Sequence, residues 1–256
     1  MIIDIHVHIG PGPDDPTKRE LIAACERYGV DKAYIAYTGI APVNVFSPDE
    51  GEIEASNIES YRFMAQHPDM IGSFCYINPR NKNSMDELKK GVEDYGMSGM
   101  KLWVAVLCDD PMTYPLVEKC IEYNAPILVH AFYNAETQVE NESRGVHVSN
   151  LARRYPEAKL IMAHLGSNCY DGVKSIRNCP NVSVDFSGTI YRRDDLDYTK
   201  KQIGAGRILF GSDIPGSFTM SLGQIEEADF TPEEKALVYG GNALRLLDRE
   251  NRGHCC

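Results

Sequence analysis

The chain has 256 residues, a formal net charge of −11, and ordinary shares of hydrophobic (43%) and charged (25%) residues. The length suits one large α/β domain, and the negative charge argues against nucleic acid and anionic membranes as partners, because phosphate contacts need a surface rich in Lys and Arg. No apolar run is long enough to span a membrane, and the N-terminus enters a strand without a targeting signal. We therefore expect a cytoplasmic protein whose eight cysteines are reduced.

Segments with strand character and segments with helical character alternate along the whole chain. The strand candidates are 1–8, 31–38, 71–77, 99–104, 126–132, 159–164, 181–186 and 207–212. Each is followed by helical sequence, which predicts parallel strands joined by right-handed crossovers, and eight such units match the size of a TIM barrel. A doubly wound sheet is the alternative, but the prolines in Gly10-Pro11-Gly12-Pro13 cannot donate N–H groups to a phosphate. We expect a single (β/α)8 TIM barrel over residues 1–250 and a disordered tail over 251–256.

The first strand candidate carries two histidines, His6 and His8, separated by one residue. Because side chains alternate along a strand, both imidazoles should point to one face, about 7 Å apart along the strand. Ile3, Ile5 and Val7 should point to the other face, under a covering helix. Two imidazoles placed in this way can bind one divalent cation.

Polar side chains recur where other predicted strands end, which is where barrel enzymes carry their active sites. Lys101 lies late in the fourth predicted strand, His130 and His164 end the fifth and sixth, and Asp213 ends the eighth. Each residue alone has a structural explanation, such as a hydrogen-bonded histidine or a capping aspartate. Burying all of them at one end of a barrel is costly unless a cation or dense hydrogen bonding satisfies them. The joint pattern therefore predicts a metal site.

Three further histidines fall outside this pattern. His67 ends a helix on the opposite face of the predicted barrel, His147 opens the helix after the fifth strand, and His254 lies in the tail. We expect none of the three to be catalytic, although His147 lies beside a loop on the active face.

Six motifs span nearly the whole chain in order. They are Ile3-Asp4-Ile5-His6-Val7-His8, Gly99-Met100-Lys101-Leu102, Val129-His130, Met162-Ala163-His164-Leu165-Gly166, Ile208-Leu209-Phe210-Gly211-Ser212-Asp213-Ile214-Pro215 and Gly241-Asn242-Ala243-Leu244-Arg245-Leu246-Leu247. Together they resemble the amidohydrolase superfamily, and within it the amidohydrolase-related branch that also holds the aminocarboxymuconate-semialdehyde decarboxylase-like enzymes. The resemblance implies a distorted (β/α)8 barrel that binds a divalent metal, most often zinc.

The resemblance also implies roles for individual residues. The ligands of a single metal ion would be His6, His8, His130 and Asp213. His164 would orient or polarise the substrate. A second ion is an alternative, held through His164 and through Lys101 carboxylated by CO2, but one ion is favoured because this branch is usually mononuclear. An unmodified Lys101 would instead bind a substrate carboxylate.

The activity implied by the resemblance is hydrolysis of an amide, lactone or ester bond of a small molecule by metal-activated water. Asp213 would accept the proton of that water, and His164 would stabilise charge on the carbonyl oxygen. The same residues would serve a non-oxidative decarboxylase (a carboxy-lyase) acting on a small carboxylic acid, and this is the alternative. Hydrolysis is preferred at this point because it is the commoner chemistry for such a site. A non-catalytic degenerate barrel is the least favoured interpretation.

Substrate contacts are expected from Lys101 and from the loops that follow the strands. Trp103 shares a strand face with Lys101, and Tyr133 lies in the long polar segment after the fifth strand. Arg192, or its neighbour Arg193, would clamp a carboxylate, with solvated surface as the plainer interpretation of both arginines. The sequence is compatible with a monomer or a homo-oligomer.

Overall fold

The computed structural model describes residues 1–36, 46–188, 192 and 194–248. The strands of this part are β1 (Ile3–Val7), β2 (Lys32–Ile35), β3 (Ile71–Ser73), β4 (Cys75–Ile77), β5 (Met100–Leu102), β6 (Ile127–Val129), β7 (Leu160–Met162), β8 (Val182–Asp185) and β9 (Ile208–Leu209). The helices are α1 (Pro16–Tyr28), α2 (Glu50–Gln66), α3 (Ser84–Lys89), α4 (Tyr114–Glu122), α5 (Gly145–Arg154), α6 (Cys169–Ile176), α7 (Asp195–Ile203), α8 (Phe218–Glu227), α9 (Pro232–Ala236) and α10 (Asn242–Leu247). Each predicted strand overlaps an observed one. The predicted tail, with Cys255 and Cys256, lies outside the described residues.

The strands pair in parallel in the order β1-β2-β3 and β4-β5-β6-β7-β8-β9. β3 and β4 are one extended segment interrupted at Phe74, whose N–H donates to the carbonyl of Ile35 in β2 at 3.0 Å. The next residue, Cys75, donates to the carbonyl of Gly99 before β5 at 2.8 Å. The two sets of strands are therefore continuous at this point.

The first and last strands are also joined. The N–H of Ile5 donates to the carbonyl of Phe210 at 3.0 Å, and Val7 forms a parallel bridge with Asp213. Together with the β3–β4 segment, these contacts bring eight strand positions into one ring. The predicted (β/α)8 barrel is confirmed, and its closure joins the strand of the two histidines to the segment that carries Asp213.

The core has two parts. A large cluster lies between the strands and the surrounding helices. A small cluster draws residues from strands around the ring and fills the barrel interior: Ile3, Ile5, Tyr34, Ala36, Phe74, Leu128, Ile161, Ala163, Leu209 and Ala243. Both clusters are close-packed and apolar, so they account for much of the stability of the fold.

The predicted side-chain directions along the first strand are only partly right. Val7 packs in the outer cluster as expected, but Ile3 and Ile5 lie in the interior cluster. The register of β1 on β2 shifts between Asp4 and Val7, and such an irregularity breaks the strict alternation of side chains. Consequently His6 can face the interior although its neighbour Ile5 also does.

Helix α10 closes the end of the barrel opposite the predicted site. The side-chain amide of Asn242 donates to the carbonyls of Ala205 and Ile208, both at 2.8 Å, and Ala243 packs into the interior cluster. These contacts give the Gly241–Leu247 motif a structural role. The described cysteines are free and buried, in agreement with the prediction of reduced thiols. Among the described helices, none has both the length and the apolar character of a membrane span.

Candidate metal centre

Three predicted ligands meet where β1 and the segment after β9 lie side by side. His6 Nε2 and His8 Nε2 are 3.0 Å apart, and Asp213 Oδ1 lies 3.6 Å from the His8 nitrogen and 4.0 Å from the His6 nitrogen. The backbone fixes this arrangement, because the N–H of His8 donates to the carbonyl of Asp213 at 2.7 Å and the N–H of Asp213 donates to that of His6 at 2.8 Å. Two imidazoles and a carboxylate therefore share one small volume.

The histidines that follow β6 and β7 extend this cluster. His130 Nδ1 lies 3.2 Å from His164 Nε2, and the His164 ring is centred 5.0 Å from the His6 ring. One nitrogen of His6, one nitrogen of His164 and an oxygen of Asp185 all lie within 4.8 Å of one another. His130, predicted as a ligand, thus approaches His6 and His8 by way of His164 rather than directly.

Three of these rings have a hydrogen-bond acceptor behind them. The pairs are His6 Nδ1 with Asp185 Oδ2 at 3.1 Å, His164 Nδ1 with the carbonyl oxygen of Ser187 at 2.9 Å, and His130 Nε2 with Glu142 Oε1 at 2.8 Å. A carbonyl or ionised carboxylate oxygen only accepts hydrogen bonds, so each of these outer nitrogens carries the proton. The inner nitrogen of each ring therefore presents a lone pair to the site.

This protonation pattern fits a metal ion. With both outer nitrogens protonated, His130 Nδ1 and His164 Nε2 direct two lone pairs at each other across 3.2 Å, which is unfavourable unless a cation binds one of the two nitrogens. Imidazole nitrogens and carboxylate oxygens suit Zn²⁺ and Mn²⁺. Acceptors that hold the far nitrogen of a metal-binding histidine are a regular feature of such sites.

The electrostatics of the cluster point the same way. Burial, reinforced by nearby cationic groups including Lys101, lowers the pKa of His6, His8 and His130 well below the usual 6.5. These rings are consequently neutral at neutral pH, which is the form that binds a metal ion.

Lys101 lies inside this cluster. Its side chain is fully buried, and Nζ is 3.1 Å from His6 Nε2. Burial lowers the pKa of the Lys101 ammonium to about 8, against an opposing influence of the carboxylates Asp185 and Asp213. The amine thus adjoins a predicted ligand, and both of its predicted roles, carboxylated metal bridge and cation for a substrate carboxylate, stay predictions.

Two site residues have unusual backbone conformations. His164 has φ 59° and Asp213 has φ 69°, in the left-handed region that favours glycine. Gly188 lies against the His164 ring, where a β-carbon would come within 3.0 Å of Nδ1. Strain of this kind persists where the surrounding structure imposes it, and it is concentrated at functional sites.

Aromatic side chains surround the histidines. The Trp103 ring is centred 6.2 Å from that of His130, the Phe132 ring 5.9 Å from that of His164, and Phe46 stacks on Trp103 at 6.1 Å. Trp103 therefore lies near the site, and its predicted contact with the substrate stays a prediction.

The other predicted substrate contacts are less direct. The Arg144 guanidinium covers the Tyr133 ring at 4.1 Å, and Arg192 is exposed. Arg193 lies outside the described residues. Neither Tyr133 nor Arg192 contacts a predicted metal ligand through a described hydrogen bond or ring contact, so their roles stay predictions.

A sequence model of the amidohydrolase family matches residues 3–249. The chain belongs to the amidohydrolase family. This match agrees with the resemblance found in the sequence motifs, and it makes the chain an enzyme of the amidohydrolase superfamily. No curated protein matches the chain in sequence.

Several solved structures share the fold over almost the whole chain. The 2,6-dihydroxybenzoate decarboxylase from Rhizobium is 17% identical, with 97% of this chain and 99% of that one covered and a TM-score of 0.74. A dihydroxybenzoic acid decarboxylase from Polaromonas sp. JS666, with bound manganese and the inhibitor 2-nitroresorcinol, is 18% identical, with 98% of each chain covered and a TM-score of 0.74. The 4-oxalomesaconate hydratase from Rhodopseudomonas palustris is 21% identical, with 98% and 96% covered and a TM-score of 0.69.

Several residues of this amidohydrolase site were not predicted from the sequence. Asp185 is the last residue of β8, and the rule that identified His130, a polar residue at a strand end, would have found it. Asp4 is fully buried, accepts from Ser212 Oγ at 2.5 Å and from the N–H of His6 at 3.0 Å, and has its pKa raised to about 7 by burial. Glu142 lies in a polar loop without periodicity, and no sequence signal identifies it.

The histidines excluded from the site have structural roles where they are described. His147 is half-buried in the first turn of α5, and its Nδ1 accepts from the N–H of Arg144 at 3.0 Å. His67 follows the last turn of α2, and its N–H donates to the carbonyl of Met64 at 3.1 Å. His254 lies outside the described residues.

Proposed function

We propose that this amidohydrolase is a metal-dependent carboxy-lyase that removes CO2 from a small planar carboxylic acid without oxidation. The observation that carries the proposal is the activity of proteins with the same fold. Two of the three similar structures above are decarboxylases of dihydroxybenzoic acids, matched over almost their whole length. The sequence motifs alone favour hydrolysis over decarboxylation, and these relatives support the reverse order. The aromatic rings around the histidines suit a planar substrate.

The metal would be held by the four predicted ligands, which are His6, His8, His130 and Asp213. The sequence favours zinc and one similar structure carries manganese, and the imidazole and carboxylate donors accept either ion. When bound, the ion supplies positive charge that stabilises the negative charge developing on the substrate.

Decarboxylation replaces one carbon–carbon bond by one carbon–hydrogen bond. The electron pair of the broken bond stays on the substrate carbon, CO2 departs, and one proton is added to that carbon. Asp213 suits this transfer because its carboxyl group is one-fifth exposed at the mouth of the site, in contact with His8. After giving up its proton to carbon, the carboxylate would take another from solvent, so the proton balance closes.

Neighbouring residues would bind and shield the substrate. Lys101 adds a buried cation beside the proposed ligands, which suits attraction of a carboxylate. Trp103 and Phe132 supply apolar walls that exclude water, and a poorly hydrated carboxylate loses CO2 more readily. His164, whose Nδ1 proton is held by the Ser187 carbonyl, would orient the substrate through Nε2.

A substrate panel in heavy water tests this proposal. The protein is loaded with Mn²⁺ or Zn²⁺ and incubated with hydroxybenzoic acids and unsaturated short-chain acids, and with amides, lactones and esters. We expect CO2 release from at least one acid and one deuterium atom at the vacated carbon. Hydrolysis of a lactone, amide or ester with oxygen from water in the product, and no CO2 from any acid, would restore the hydrolase interpretation.

A further inference from the structure

Glu142, in the loop between β6 and α5, directs a largely buried carboxylate at His130. Its Oε1 lies 2.8 Å from His130 Nε2, and the residue is 9% exposed. The other oxygen, Oε2, accepts from the side-chain amide of Gln138 at 2.7 Å and from the N–H of Val139 at 3.4 Å. One oxygen therefore accepts from the histidine, and the other accepts from donors of the loop.

The orientation of Gln138 is fixed from both sides. Its Nε2 also donates to the carbonyl of Phe132 at 3.0 Å, while its Oε1 accepts from the N–H of Asn134 at 3.1 Å. The loop is tied back to the barrel, because the N–H of Phe132 donates to the carbonyl of Ser143 at 2.9 Å. Donors therefore surround Glu142 Oε2, and they cannot turn into acceptors without breaking these bonds.

We propose that Glu142 is a positioning residue that keeps the proton of His130 on Nε2 and so directs the lone pair of Nδ1 at the metal. The inference rests on the metal centre proposed above. A carboxylate accepts only, so the ring must present its N–H to Glu142 and its bare nitrogen to the site, where His164 Nε2 lies 3.2 Å away. Without this partner both tautomers of His130 become available, and only one of them binds a metal ion through Nδ1.

The fixed donors make Glu142→Gln an informative variant. Its amide has one acceptor and one donor end. Gln138 and Val139 both require the acceptor end at the Oε2 position, so the amide NH2 is turned toward His130 Nε2. An NH2 donor at that place selects the opposite tautomer, with the proton on Nδ1 inside the site. We therefore expect Glu142→Gln to be more damaging than Glu142→Ala, although it is the closer match in size.

Two readouts test this inference. The first is the tautomer of His130, measured from the ring nitrogen shifts of the full chain labelled with ¹⁵N-histidine and loaded with zinc, with His130→Gln used for assignment. The second is the rate at which a chelator removes Mn²⁺. Glu140→Gln is the matched control, since Glu140 is an exposed acid two residues away in the same loop.

In the unmodified chain we expect the His130 proton on Nε2. In Glu142→Gln we expect it on Nδ1, with metal loss faster by about 10- to 100-fold, the usual consequence of losing such a partner. The rate of metal loss from Glu142→Ala should lie between those of the unmodified chain and Glu142→Gln. Glu140→Gln should match the unmodified chain in both the tautomer and the rate. A proton on Nδ1 in the unmodified chain, which requires no variant to fold, would overturn the inference. So would an unchanged rate of metal loss in Glu142→Gln. Neither readout depends on the reaction, so a failed substrate panel and a failed Glu142 test remain distinguishable.

Discussion

The two ends of the first strand differ in what they bury. At its start, Ile3 lies in the apolar interior cluster, near the end that α10 closes. At its other end, His6 is fully buried among Lys101 and Asp185, and His8 follows immediately. Within a few residues the inner face of one strand changes from hydrocarbon to convergent polar groups. One end thus accounts for stability and the other for chemistry, the division expected of barrel enzymes.

Backbone strain is distributed in the same way. The described non-glycine residues with positive φ are Asn124, Asn141, His164, Leu165, Ser167 and Asp213. Asparagine tolerates this conformation, so the two asparagines need no special cause. The other four follow β7 or β9 at the end of the barrel that holds the histidines. The strain is therefore concentrated where the ligands converge, and this contrast can be tested by changing one end at a time.

The largest effect is expected from the metal ligands. His8→Ala should abolish metal retention and turnover. Because His8 is partly exposed, unfolding in the presence of a chelator should change little, and only the stabilisation linked to bound metal should be lost. Metal content after extensive dialysis, together with chemical denaturation with and without chelator, measures both. Full metal occupancy in this variant would remove His8 from the ligand set.

His6→Ala, at the same metal-binding end of β1, can be compared directly with His8→Ala. It should also abolish metal retention, but His6 is fully buried and donates to Asp185. Its loss leaves a buried carboxylate with one partner fewer, at a cost of about 1–3 kcal/mol even without metal. Equal stabilities of His6→Ala and His8→Ala in chelator would contradict the burial difference between the two rings.

The next largest effect is expected at Asp213. Asp213→Asn keeps the size and one coordinating oxygen but removes the proton-transferring group. Metal should be retained in part, because three histidines remain, and turnover should fall by about two or more orders of magnitude. The control is His147→Gln, at a half-buried position in the first turn of α5, which should keep near-normal turnover. If the His147 variant lost as much activity as the Asp213 variant, the site would extend into the loop before α5.

A substitution at the opposite end of β1 should lower stability and leave metal binding unchanged. Ile3→Ala removes buried hydrocarbon from the interior cluster and should lower the free energy of unfolding by about 2–5 kcal/mol. Metal retention per folded molecule should be unchanged. Denaturation curves paired with metal analysis of the folded fraction test this. Metal loss from the folded Ile3 variant would show that the two ends are not independent.

The smallest effect is a pH dependence at Asp195, the first residue of α7. Burial raises the pKa of this carboxyl above its usual 3.8. The folded chain therefore binds more protons than the unfolded chain above about pH 4, so the stabilising contribution is present below that pH and is lost as pH rises through the folded pKa.

As the pH rises from 4 to 7, Asp195→Asn should gain stability relative to the unmodified chain, by at most about 1.4 kcal/mol per pH unit. A relative gain by the unmodified chain between pH 4 and pH 7 would give the opposite sign and contradict the prediction.

The sequence was most informative where a polar residue interrupts an apolar strand. His130 and Asp213 were predicted at the correct end of the barrel because parallel strands bring their ends together, whatever lies between them in the chain. The same reasoning failed for Ile3 and Ile5, because a register shift is not visible as a change in hydrophobic pattern. It could not find Glu142, whose place depends on the path of a loop, and loops carry no periodicity.

The most direct test of the metal centre is anomalous diffraction from crystals of the manganese-loaded chain. We expect a single strong peak within coordination distance of His6, His8, His130 and Asp213, with His164 and Lys101 beside it. A second peak between His164 and a carboxylated Lys101 would replace the single-ion site by a two-ion site. A manganese peak elsewhere on the molecule, or none at this end of the barrel, would contradict the account.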